Sequence, residues 1–312
     1  MIFVGIDGGG TKTQAIAVDE DGRVLAEGVG GPSNIAENPR GVVEKSLRDA
    51  LEPLKGFVKG DAVVIAGMPA VGEIRGVEKA YGKMIEDILG VEPRAIFNDV
   101  VVGWAAGTLG EDGIHVVAGT GSIAYGRLGK KETRCGGWGS IIGDEGSAYY
   151  IGRKVLQSVT MMMDGRMEET TLKNVLFESL EFRDQYDLLE WVYSGDRRSK
   201  IASIAVIAHR ACLEGDEVAR EILEDAARHL ARHVLAISKR LSMEDPLVTY
   251  SGSVLEKNDF VRETFEEEIK KALPRAEVRK SRLKPVFGAV ILGFKMEGLE
   301  LPFADDQSMF QK

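Results

Sequence analysis

The sequence predicts an α/β protein of two domains, each a mixed sheet flanked by helices, with a helical insertion in the second. Three observations predict it. The chain opens on three short strands joined by tight turns, and helical and apolar strand patterns then alternate. That opening recurs: Gly8 and Gly119 stand 119 − 8 = 111 residues apart in equivalent places, each on the order strand, glycine turn, strand, turn, strand. A length of 312 residues also suits two domains of roughly 100–200 residues each.

The first cycle begins with alternation. Ile2, Val4 and Ile6 alternate with Phe3 and Gly5 until Gly8-Gly9-Gly10 breaks the strand; Gln14 to Val18 resumes it, Asp21-Gly22 turns, and Val24 to Val29 forms a third strand. Helical spacing runs from Pro39 to Leu54 and from Gly76 to Leu89. Asp61 to Ala66 and Arg94 to Phe97 are strands, and a helix occupies Val100 to Ala106. The second cycle has strands at Ile114 to Ala118, Ile123 to Leu128 and Lys131 to Arg134. A helical insertion spans about residues 145–241, then come a strand at Val248 to Tyr250, a helix at Asn258 to Leu273 and a strand at Ala276 to Val278. Pro285 opens the closing helix, proline being favoured at a first helical position. The boundaries are 1–112 and 113–284, with the helix at about 285–299 packing back on the first domain and a loose tail at 302–312.

Composition narrows the function classes. Apolar residues at 44 % and charged residues at 29 % exclude a disordered chain or a fibre. No apolar run approaches the ~18 residues of a membrane span, and the N-terminus lacks the basic region of a signal peptide. A net charge of −9 without a basic block argues against nucleic acid as partner. It does not exclude phosphate, which backbone N–H groups hold without net positive charge. Two distant cysteines, Cys135 and Cys212, argue against a disulfide framework or a cysteine-rich metal site, so a reducing cytoplasm is the expectation.

Five motifs carry chemistry. Asp7-Gly8-Gly9-Gly10-Thr11-Lys12-Thr13 directly follows a strand. Its glycines expose successive N–H groups as an anion nest, Thr11 and Thr13 add hydroxyls, and Asp7 can hold Mg²⁺ through water. It is not a Walker A loop, which would need Lys where Thr11 stands. Gly119-Thr120-Gly121-Ser122-Ile123-Ala124 matches the Rossmann pattern G-x-G-x-x-A, but it opens a strand rather than a helix. Paired with the first turn, it reads as a second phosphate hairpin. Asp99 ends the strand Ala95 to Phe97 and is either an acid placed to take a hydroxyl proton or a helix cap. The run Cys135 to Ser147 holds five glycines, Trp138, Asp144 and Glu145. It suits a polyhydroxylated ligand, with the ring against C–H faces and acids accepting from hydroxyls; otherwise it is a connector with a cap at Asp144. Tyr250-Ser251-Gly252-Ser253-Val254 is a strand entering a small-residue turn that would let a planar base lie against backbone. His209, His229 and His233 read as surface residues of helices.

Together these residues resemble the N-acetylglucosamine kinase and archaeal hexokinase group of the BadF/BadG/BcrA/BcrD-type ATPases, within the actin/hexokinase/heat-shock-70 sugar kinase superfamily. Gly5 to Thr13 resembles the first phosphate motif, Ala118 to Ser122 the second, and Ser251 to Val254 the adenosine motif. Gly136 to Tyr149 is similar to the sugar loop of this group. The resemblance implies two RNase-H-like domains and an ATP- and Mg²⁺-dependent kinase acting on the 6-hydroxyl of a hexosamine or hexose. It implies Asp99 as base and Asp7 as organiser of the metal. Asn34, Gly137, Trp138, Asp144 and Asp99 would contact sugar. Gly9, Gly10, Thr11, Lys12, Thr13, Gly119, Thr120, Gly121, Ser122, Gly252 and Ser253 would contact ATP. A homodimer is implied as well. Ala66-Gly67-Met68-Pro69-Ala70 departs from the pattern, since relatives often carry Ser or Asp around this loop.

Three other classes compete, of which a sugar-sensing repressor of kinase-like fold would need a DNA-binding extension ahead of the first strand. An activator ATPase of a dehydratase shares the superfamily but is thought to hold an iron–sulfur cluster on two thiolates per subunit, which Cys135 and Cys212 fit poorly. A nicotinamide oxidoreductase rests only on the G-x-G-x-x-A match.

Overall fold

The computed structural model describes residues 1–302, so the tail expected at 302–312 lies outside the described residues from 303 on. The chain divides into two compact units, Met1–Asp112 with residues 281–302, and Gly113–Lys280.

The first unit is built on β1 (Ile2–Gly8), β2 (Thr13–Asp19), β3 (Val24–Gly30), α1 (Arg40–Leu51), β4 (Val63–Met68), α2 (Val77–Leu89), β5 (Ala95–Asn98) and α3 (Asp99–Thr108). Its sheet order is β3-β2-β1-β4-β5. The first three strands are antiparallel, Gly8 pairing with Thr13 across the glycine turn, while β4 and β5 run parallel to β1. Such mixing comes from the connections: tight turns join antiparallel neighbours, and helical crossovers return the chain parallel. The expected helix from Pro39 is shorter than its apolar spacing suggests. It ends at Leu51, and Glu52–Leu54 tightens to a 3₁₀ turn, since Pro53 has no N–H to continue the ladder. All six residues of β4 are buried, the signature of a strand covered on both faces.

The second unit repeats the plan with β6 (Gly113–Ala118), β7 (Ser122–Leu128) and β8 (Lys131–Gly136). The insertion comes next as α4 (Ala148–Met163), α5 (Thr171–Ser179), α6 (Gln185–Tyr193), α7 (Arg197–Leu213) and α8 (Glu217–Leu241). Then come β9 (Leu247–Ser251), α9 (Ser253–Lys257), α10 (Asp259–Ala272) and β10 (Glu277–Lys280). The order β10-β9-β6-β7-β8 is the first sheet's order with each strand replaced by its counterpart. The duplication inferred from two glycine turns is therefore one of topology. The last helix, α11 (Pro285–Met296), belongs to the first unit, where Phe294 stacks on Phe3 at 4.0 Å between ring centroids. No helix among the described residues is long and apolar enough to cross a membrane.

One surface expectation is overturned. His233 is 7 % exposed and faces the glycine-rich loop. It shares the buried side of α8 with Leu230, Val234 and Ile237, so the 3.6-residue period carries it inward.

Candidate active site

In the first unit, the polar groups gather where β1, β4 and β5 end. Parallel strands present ligand-binding loops at their C-terminal ends, so this is where chemistry is expected. Asp7 is the penultimate residue of β1, and Asp99 opens α3 directly after β5. Neither is fully buried, yet each carboxylate is packed closely enough for lost hydration to dominate. Burial first, then the negative charge of Asp99, pushes Asp7 up to about 8, with Lys12 opposing. Burial and then Glu73 raise Asp99 to about 6, against backbone N–H donors at its own position and at Val100.

The alternative role for Asp99 is filled by its neighbour. Asn98 is the N-cap of α3, its side chain accepting from the Val100 N–H at 3.2 Å. The same side chain donates to the Val71 carbonyl at 3.0 Å and to Glu73 Oε1 at 3.3 Å. Asn98 thus pins the loop after β4 beside Asp99. Glu73 is a carboxylate that sequence reasoning missed: the Ala66–Ala70 stretch lacks polar groups, but an acid stands three residues on.

Asn34 lies in the loop after β3, its side chain accepting from the Ala36 N–H at 3.0 Å. This loop is held by Tyr81, whose hydroxyl donates to the Ser33 carbonyl at 2.6 Å and accepts from the Ile35 N–H at 3.0 Å. In the sequence Tyr81 is one residue of the helical spacing from Gly76 to Leu89, and no motif marks it. Its fully buried hydroxyl needed partners, and that requirement was the available signal. In the glycine turn itself, Thr11 and Lys12 are exposed, as is Gly10, and Gly9 is half-buried. Thr13 is fully buried and donates to the Gly31 carbonyl at 2.9 Å, so its proton is committed within the sheet.

The second unit holds a closely braced turn. Gly119 N–H donates to the Gly121 carbonyl at 3.0 Å, and the start of α4 caps the turn, Ala148 N–H donating to Gly119 O at 2.9 Å and Tyr149 N–H to Thr120 O at 3.3 Å. Thr120 is exposed, while Ser122 is buried and donates to the Glu145 carbonyl at 2.7 Å. Gly137 N–H donates to Ser122 O at 3.0 Å, which lashes the glycine-rich loop to the turn. Trp138 is 63 % exposed, with the Arg134 guanidinium 4.8 Å from its ring centroid. Asp144 is not the helix cap, since Ser147 caps α4 and bonds the Tyr150 N–H. It is buried beside Gly121 and paired with Arg198.

The third small-residue turn packs on the second. Gly252 has φ +97°, and a Cβ there would lie 2.4 Å from the Ala118 carbonyl oxygen, so only glycine fits. Ser253 opens α9. Beneath, His115 bridges β6 to β9, with Nδ1 2.8 Å from Thr249 Oγ1 and Nε2 3.0 Å from Ser251 Oγ. Burial lowers its pKa to about 3, which keeps the ring neutral.

No group of three or more His, Cys, Asp or Glu suited to a metal occurs among the described residues. Asp7 still fits Mg²⁺, a hard cation that usually takes one or two carboxylates and keeps its waters. A carboxylate raised by burial and by the negative charge of Asp99 is also what a cation would relieve. Cys135 lies in β8 and Cys212 in α7, both half-buried with thiols raised by burial.

Two copies of a mixed sheet, each with a glycine turn after its first strand, define an actin-like ATPase fold. Within it, the chain belongs to the BadF/BadG/BcrA/BcrD ATPase family, whose pattern matches residues 4–293. It is 34 % identical over 299 residues to the N-acetylmuramic acid/N-acetylglucosamine kinase of Clostridium acetobutylicum, covering 93 % of this chain and 97 % of the relative. To the N-acetyl-D-glucosamine kinase of Dictyostelium discoideum it is 32 % identical over 312 residues, with the same coverage. Among solved structures, the fold matches a Streptomyces griseus ROK family glucokinase in complex with glucose and AMPPNP, at TM-score 0.60 and 17 % identity over 94 % of this chain and 98 % of that one. A Chromobacterium violaceum protein, provisionally an N-acetylglucosamine kinase, matches at TM-score 0.74 and 22 % identity over 94 % and 98 %.

Proposed function

We propose that the chain is a sugar kinase that transfers the γ-phosphate of ATP to the 6-hydroxyl of N-acetylglucosamine, glucosamine or glucose. The observation that carries this is the pair of relatives, N-acetylglucosamine kinases by name, aligned along nearly their whole length. The site supplies matching chemistry. Asp99 at about 6 is largely ionised at neutral pH, yet basic enough to accept the proton of the attacking hydroxyl. Phosphoryl transfer asks a protein chiefly for positioning and charge stabilisation. The backbone N–H groups of Gly9, Gly10, Thr11, Thr120 and Gly121 are the proposed phosphate donors, with Lys12, Thr13, Gly119 and Ser122 flanking them. Mg²⁺, held at Asp7 through water, would neutralise charge on the phosphates. Asn34, Gly137, Trp138 and Asp144 are the proposed sugar contacts, and Gly252 and Ser253 the adenosine contacts.

A coupled kinase assay over about a dozen sugars with ATP, ADP and polyphosphate as donors tests the reading. Turnover with ATP and one of the three named sugars is the expected result. A folded protein that turns over none of them would refute it.

A further inference from the structure

The helical insertion brings one side chain to the second glycine turn that no glycine motif announces. Arg198 is the second residue of α7, and its Nη2 donates to Asp144 Oδ2 at 3.0 Å. Asp144 is 3 % exposed and sits at φ +58°, in the left-handed region that side chains other than glycine seldom adopt. Its other oxygen, Oδ1, faces the Ser122 N–H at a long 3.4 Å. Both members of the pair press on Gly121. A Cβ there would lie 2.9 Å from Arg198 Nη2 and 3.0 and 3.1 Å from the two Asp144 oxygens. The turn is bare at the residue the ion pair needs. Burial disfavours the charged form of Asp144, and the Arg198 charge opposes that most strongly. Even with Arg198 and the amide engaged, a carboxylate's roughly four lone-pair sites leave capacity for a further donor.

We infer that Arg198 is a positioning residue for the acceptor sugar: it holds the Asp144 carboxylate charged and fixed in its left-handed turn, and so ready to accept from sugar hydroxyls. The inference rests on the reading of Asp144 as a sugar contact. Through Gly121 and Ser122, the same pair links the sugar-binding carboxylate to the proposed phosphate turn. The insertion thereby takes part in substrate recognition as well as in packing.

The test uses the full chain and its Arg198→Met, Arg198→Lys, Asp144→Ala and Arg198→Met/Asp144→Ala variants. Calorimetry gives Kd for N-acetylglucosamine and for ATP, kinetics give KM and kcat, and thermal unfolding gives Tm. Removing one partner of a buried charge pair should weaken sugar binding at least about tenfold in Arg198→Met, with ATP Kd and kcat within about threefold. Lysine keeps the charge and should recover sugar affinity to within about threefold of wild type. The double variant should bind sugar no more than about threefold more weakly than Asp144→Ala, because the two residues act as one unit. Sugar affinity within about twofold of wild type in Arg198→Met, with Tm lowered, would make the pair a clasp of the fold and overturn the inference. Additive losses in the double variant would overturn it too. Should Arg198→Met fail to fold, the lysine variant decides, and sugar binding by it as weak as that of Asp144→Ala is the contrary result. A wild type that binds and phosphorylates sugar while Asp144→Ala matches it would end this inference and leave the kinase reading standing. A wild type that neither binds nor phosphorylates any sugar would end both.

Discussion

Asn98 caps the helix that Asp99 begins, and this division of labour frees the Asp99 carboxylate. The cap bond runs from the Val100 N–H to Asn98 Oδ1, while the Asn98 amide group holds the Val71 carbonyl and Glu73. An aspartate needed as a cap would be spent on helix stability. Here the preceding residue supplies it, and Asp99 is left raised to about 6 by burial and by the Glu73 charge.

That relationship sets a pH dependence. A base must be ionised to act, so kcat/KM for the sugar should fall as pH drops through about 6. Glu73 raises the Asp99 pKa, so its removal must lower it. Glu73→Gln should move the acidic limb of the profile to lower pH. An unmoved limb would separate Glu73 from Asp99.

Tyr81 makes two bonds to the loop that carries Asn34. Tyr81→Phe keeps the ring and deletes both, leaving the Ser33 carbonyl and Ile35 N–H to find other partners. Leaving a buried polar group unsatisfied costs about 1–3 kcal/mol, so Tm should fall. If the loop positions sugar, KM for sugar should also rise several-fold while KM for ATP holds. A lowered Tm with unchanged sugar KM would confine Tyr81 to stability.

Asp7 should trade stability for function. Its pKa is raised from 3.8 to about 8, chiefly by burial and then by Asp99, so the folded state binds the proton more tightly than the unfolded state does. That contribution to stability is complete below about pH 4 and is lost as pH rises through about 8. Asp7→Asn escapes the loss. Its Tm advantage over wild type should grow from pH 5 to pH 8, while activity with ATP and Mg²⁺ collapses. A Tm difference that does not depend on pH would mean that Asp7 is ionised freely in the folded protein.

Much of this was legible in the sequence, and the reason is local. Glycine runs after apolar strands announce backbone made bare for a purpose, so the turns at Gly8 and Gly119 and the repeat they head could be read directly. Asp99 was visible because it stands at a strand's end. What escaped depends on the third dimension. Arg198 meets Asp144 across 54 residues of chain, and an arginine in a helix carries no mark distinguishing it from a solvated one. His233 read as a surface residue of a helix, but the phase of α8 turns it beneath Gly136. Glu73 stands beside Asp99 only because β4 and β5 pair in parallel, with Met68 opposite Asn98.

The central claim is that Asp99 takes the sugar proton, and Asp99→Asn tests it most directly. Asparagine keeps the shape and can still bond the hydroxyl, but it is not basic. A positioned base contributes about 10²–10⁴ in rate, so kcat should fall at least about a hundredfold. Sugar affinity by calorimetry should stay within about tenfold, because the loss falls on the transition state. A folded Asp99→Asn protein that turns over at more than about a tenth of the wild-type rate would contradict the account, for that is far less than a general base supplies.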